Sequence, residues 1–124
     1  MNLINDNQMV DYVKNGYLAV RTGLSSEFHK EIFARTERLI EEEGQPGNNL
    51  LARIPELKGI FDDPEVAGAL RAILGPNYYM YPHRFVHFNR PGSGGQGLHM
   101  DGMTRRRHHT RWVMAMYYPQ DTTD

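Results

Sequence analysis

Polar and apolar positions follow two different rhythms along this chain, and the change comes near Gly75. From Asp6 to Asn15, Met9, Val10 and Val13 share one helical face, which predicts a short helix over 6–15 with Asp6 as its cap and Asn15-Gly16 as its stop. Tyr17-Leu18-Ala19-Val20, bounded by Gly16 and Gly23, reads as a strand. The strongest pattern lies over 26–43. There Phe28, Ile32, Phe33, Thr36, Leu39 and Ile40 form one stripe at 3.6-residue spacing, Ser25 stands at the N-cap, and most charged residues fall outside the stripe. Gly44 to Asn49 reads as a loop and 55–61 as one or two helical turns. A firmer helix runs from Pro64 to Leu74, with Asp63 as cap, proline at its first position and Gly75 just past its end.

Beyond Gly75 the rhythm shortens. Tyr78 to Phe88 is rich in aromatic and β-branched residues and predicts a strand, bulged or at a sheet edge because of Pro82. Arg90 to Gly95 reads as a turn, and Thr110 to Tyr118 as a buried strand followed by a second turn at Pro119-Gln120-Asp121. Helices first and strands later predict an α+β fold in one domain spanning 1–124, with a helical part over 1–75 and a β-rich part over 76–124. The chain ends in a turn directly after a strand with no visible partner, so the domain reads as the N-terminal part of a larger one.

Composition changes this picture little. The 124 residues are 40% hydrophobic and 23% charged, with a net charge of −1, which gives no global field for nucleic acid or a membrane. The absence of cysteine excludes disulfides, thiolate metal sites and cysteine nucleophiles, and it fits a reducing compartment. No signal peptide and no apolar run approaching the ~20 residues of a membrane span is legible, so the expectation is a soluble, cytoplasmic protein.

The candidate chemistry is concentrated in "GSGGQGLHMDGMTRRRHHT", residues 92–110. In an extended segment residues i and i+2 project from one face, so His99 and Asp101 can aim an imidazole nitrogen and a carboxylate oxygen at one point. With a second histidine, such a pair makes the two-histidine, one-carboxylate facial triad of non-haem Fe(II), which leaves three positions open for a bidentate co-substrate and dioxygen. Six histidines and seven aspartates in 124 residues give about 0.3 such spacings by chance, so spacing alone is weak. The opposing reading is a loop histidine beside a turn-forming Asp101-Gly102.

Pro91-Gly92 after a strand, then Leu98-His99-Met100-Asp101-Gly102, then Arg111-Trp112-Val113-Met114-Ala115-Met116-Tyr117-Tyr118 and Gln120-Asp121-Thr122-Thr123, resembles the phytanoyl-CoA dioxygenase family. The order of the N-terminal helices and Leu74-Gly75-Pro76 resembles that family too. The resemblance implies an Fe(II)- and 2-oxoglutarate-dependent oxygenase whose N-terminal helices pack on part of a double-stranded β-helix of jelly-roll or cupin type, incomplete in this chain. It carries iron ligation onto His99 and Asp101, and it implies that Val86 and Met116 line the oxoglutarate pocket. Asp101 stands where related halogenases have a small residue, which favours hydroxylation. The family's distal histidine and its oxoglutarate-binding arginine have no counterpart here: none of His29, His83, His87, His108 or His109 occupies that place. The 124 residues are therefore expected to bind iron weakly or not at all and to be inactive alone.

Arg105, Arg106 and Arg107 are candidates for holding an anionic small-molecule substrate, because arginine forks match carboxylate and phosphate; a solvated loop is the plainer reading. Neither nucleic acid nor a membrane is an expected partner. The alternative function is a non-catalytic β-rich module that binds an anionic ligand through the glycine loop and the arginine cluster.

Overall fold

A computed structural model describes residues 3–88, 92, 94, 95, 97, 99 and 112–121. Its regular elements are α1 (Asp6–Asn15), α2 (Ser26–Glu43), α3 (Leu50–Arg53), α4 (Lys58–Asp62) and α5 (Pro64–Leu74), with 3-10 turns at Gly47–Asn49 and Pro55–Leu57.

The local chemistry accounts for the helix limits. At α1, Asn5 rather than Asp6 is the cap: its side chain accepts from the Gln8 amide while the Gln8 side chain accepts from the Asn5 amide, each at 2.9 Å. Gly16 ends α1 with φ +77°, a conformation that costs glycine no Cβ clash. Ser25 caps α2 through the Phe28 amide at 3.2 Å. At α5, Asp63 is extended (ψ 133°), as a residue before proline must be, and its Oδ1 accepts from the amides of Glu65 and Val66.

The stripe read from α2 is its packed face. Ile32 and Leu39 are buried there, and Phe28, Phe33, Thr36 and Ile40 are half-buried. Ile32 and Leu39 meet Ile54, Leu57 and Ile60 in one small core, with Leu24, Phe28, Leu50, Leu51, Phe61 and Tyr117 packed around it. Burying an aliphatic side chain of this size contributes roughly 1.5–3 kcal/mol, so these few residues hold the helical layer together. The short α3 and α4, with the 3-10 turns, fold the chain back along α2 and deliver Ile54, Leu57 and Ile60 to it. Asp63 adds a long-range tie: its Oδ2 accepts from the Gly23 amide at 2.9 Å, although the side chain is only 5% exposed. With three backbone N–H groups on its two oxygens, the buried carboxylate is fully used.

The expected α+β fold is not what forms. Among the described residues every regular element is helical and there is no strand, so neither the α+β arrangement nor part of a double-stranded β-helix is present there. Tyr17 to Val20, Tyr78 to Phe88 and the described part of 110–118 are irregular segments instead. The reason is physical. A helix closes its hydrogen bonds within itself, whereas a strand exists only by pairing with a neighbour. Aromatic and β-branched content reports fitness for a pleated surface, not the presence of a partner. Among the described residues the arm 78–88 and the arm 112–121 make no backbone ladder; side chains fasten them to the helices.

Candidate functional site

The two arms flank the segment that holds His99, and the helical layer anchors both. The first arm is tied to the loop after α2. The Gln45 side-chain amide donates to the Val86 carbonyl at 2.6 Å. The Arg84 amide donates to Asn48 Oδ1 at 3.1 Å, and the Arg84 guanidinium donates to the Asn48 carbonyl at 3.3 Å. The second arm is tied to α2 itself. Tyr117 Oη and His29 Nδ1 lie 2.6 Å apart, and His29 Nε2 lies 3.1 Å from Thr22 Oγ1. An edge-on contact between Tyr81 and Trp112, with ring centroids 4.9 Å apart, joins the arms to each other.

His29 was not singled out by sequence as anything but an unsuitable distal ligand. A signal was present: it stands three and four residues before Ile32 and Phe33, on the packed face of α2, where a polar side chain requires partners. It finds two oxygens and the ring edge of Phe28, at 5.7 Å between centroids. Burial pushes the Tyr117 phenol up to about 12, because its charged form would lose water there.

Of the residues expected to hold iron, His99 is described and exposed, and its Nδ1 lies 2.8 Å from the Gly97 carbonyl. A carbonyl only accepts, so in the neutral ring the proton sits on Nδ1 and the lone pair on Nε2. Metal-bound histidines commonly have this tautomer, held by a carbonyl on the other nitrogen. Asp101 and the cluster Arg105, Arg106 and Arg107 lie outside the described residues. Among the described residues no three histidine, aspartate or glutamate side chains group closely enough to hold a metal ion.

Val86 is half-buried and engaged through its backbone with Gln45, while Met116 is exposed and its sulfur accepts from the Tyr118 hydroxyl at 3.7 Å. His83 and His87 are both exposed, and His87 meets the Phe85 ring edge-on.

Sequence reading also passed over an open groove of about 270 Å³ lined by Arg35, Arg38, Leu39, Glu42, Glu43, Arg53 and Ile54. Three of its charges are already paired. Arg53 pairs with Glu43, and Arg35 with Glu56 at 2.6 Å, which holds the Glu56 carboxyl below its ordinary range. The groove therefore offers mixed charge and little apolar wall, a poor match for a small-molecule pocket.

Compared with protein-family models, curated proteins and solved structures, the chain matches none of them. Among the described residues no helix is long and apolar enough to cross a membrane.

Proposed function

We propose that this chain carries part of a mononuclear Fe(II), 2-oxoglutarate-dependent oxygenase centre, with His99 and Asp101 as two of its metal ligands. The observation that carries the reading is the segment Leu98-His99-Met100-Asp101-Gly102, which sets an imidazole and a carboxylate two positions apart and follows them with a residue free of Cβ. The hydrogen bond from His99 Nδ1 to Gly97 supports it, since that tautomer ligates through Nε2. Architecture lends no support, because the sheet that usually frames such a centre is not found among the described residues.

When bound, iron and 2-oxoglutarate would activate dioxygen, one oxygen atom of which would hydroxylate a small organic compound while the other entered the succinate formed from the co-substrate with loss of carbon dioxide. The chain's own part is to present the two donors, to line the co-substrate with Val86 and Met116, and to hold an anionic substrate with Arg105, Arg106 and Arg107.

Manganese(II), a redox-silent stand-in, provides the test. Titrated anaerobically with 2-oxoglutarate, it should broaden the amide NMR signals around His99, and His99→Ala and Asp101→Ala should each abolish the broadening. Broadening that is absent, or that survives in both variants, refutes the reading.

A further inference from the structure

Exposure along the second arm alternates from residue to residue. Val113, Tyr117 and Pro119 are half-buried, while Trp112, Met114, Met116 and Tyr118 are 43%, 57%, 54% and 65% exposed. Period-two exposure marks an extended backbone with one face against the helices and one face in solvent; the small Ala115, on the inner face, is also exposed. The assignment of faces runs against hydrophobicity. The outer face carries a tryptophan, two methionines and a tyrosine, and the inner face carries Val113, Ala115, Tyr117 and Pro119. Burial of apolar area alone would turn the arm over.

Nothing in the backbone prevents that. The arm has no ladder hydrogen bond among the described residues, so no backbone pairing fixes which of its faces turns inward. A slip of one residue exchanges the two faces completely. The slip is also chemically degenerate, because Tyr117 is followed by Tyr118 and either phenol can reach an imidazole. What distinguishes the observed register is side-chain docking: the Tyr117 ring packs against the small core with its hydroxyl on His29 Nδ1, Thr22 holds the opposite nitrogen, and on the outer face Trp112 meets the Tyr81 ring edge-on.

We propose that the Tyr117–His29 hydrogen bond is a register lock, and that without it the arm slips by one residue, docks Tyr118 on His29 and turns Trp112, Met114 and Met116 inward. The lock decides which face of the arm is displayed beside the His99 segment. It involves no metal, since every group in the lock belongs to α2, the Thr22 loop or the arm, but the slip would also move Met116, which the proposed function places beside the co-substrate.

The tandem tyrosines make the test asymmetric. Tyr117→Phe keeps the packed ring but leaves only Tyr118 able to bond His29, whereas Tyr118→Phe leaves the lock intact. Trp112 is the chain's sole tryptophan, so its emission and its quenching by acrylamide report the exposed face directly. In Tyr117→Phe the emission should shift to the blue and quenching should fall to roughly half the wild-type value as the indole goes inward. Tyr118→Phe should match the wild type. Helical circular dichroism should be the same in all three proteins, which separates a slip from unfolding. Unchanged quenching in Tyr117→Phe overturns the proposal, and so does increased quenching, which means that the arm has left rather than slipped. An equal response in Tyr118→Phe overturns it as well.

Discussion

The helical layer and the two arms are built from similarly apolar sequence, yet they are held by different means. Within the layer each helix closes its own backbone bonds, and α2 needs only its stripe with Ile32 and Leu39 to meet Ile54, Leu57 and Ile60. The arms have no such internal closure. Val86, Arg84 and Tyr117 are fastened one by one to Gln45, Asn48 and His29, across 36 to 88 residues of sequence. The layer is therefore specified by many weak and redundant contacts, and each arm by a few contacts that nothing duplicates. Damage to the layer should appear as lost stability, and damage to an arm as a changed position at nearly constant stability.

The sharpest way to break that contrast is in the core. Ile54 is only 2% exposed, and Ile54→Ala should cost about 2–5 kcal/mol in denaturant unfolding followed by helical circular dichroism. A smaller loss would mean that the core can collapse around the gap. Next comes Asp63, the buried carboxylate that both caps α5 and holds Gly23. Asp63→Ala should cost roughly 1–3 kcal/mol by the same measurement, and Asp63→Asn less, because one amide oxygen can still serve the cap.

The arm should respond on a different readout. In the folded chain Tyr117 is raised to about 12 from the ordinary 10.0, so docking favours the neutral phenol. That contribution is complete below about pH 10 and is lost as pH rises from 10 towards 12. Trp112 quenching should fall across that window, as it does in Tyr117→Phe, while the helical signal stays level; a coincident loss of the helical signal would tie the arm to the core. Tyr117→Phe itself should cost only about 1 kcal/mol of overall stability, the usual net value of one hydrogen bond. The smallest effect belongs to the exposed pair Arg35–Glu56. The Glu56 carboxyl is held below 4.5, chiefly by its hydrogen bond from Arg35. Its contribution is present above that value and disappears as pH falls through the lowered one. The difference between wild type and Glu56→Gln should accordingly shrink in acid and in high salt, as unfolding midpoints will show.

The helices were legible in advance because their instructions are local. Ser25, the α2 stripe, Asp63-Pro64 and Gly75 predict α2 and α5 to the residue, and only the cap of α1 moves, from Asp6 to Asn5. The four residues of α3 escaped notice, since a single turn is too short to show a period. The strands expected at 17–20, 78–88 and the described part of 110–118 failed for the opposite reason. Each has the composition of a strand, but composition cannot supply the neighbour on which pairing depends. Of the candidate site, the pairing of His99 with Asp101 came from spacing and resemblance, and the Gly97 contact adds only the tautomer.

By itself, then, the sequence determined where helices start, stop and turn their apolar faces, because capping and 3.6-residue spacing act within a few residues of each other. Tertiary structure alone decided what became of the rest. It put Gly23 on Asp63, Asn48 on Arg84 and His29 on Tyr117, and it left Met116 outward and Tyr117 inward on the same arm. Those choices depend on which distant groups come within hydrogen-bond reach once the core has closed, and no local pattern contains that information.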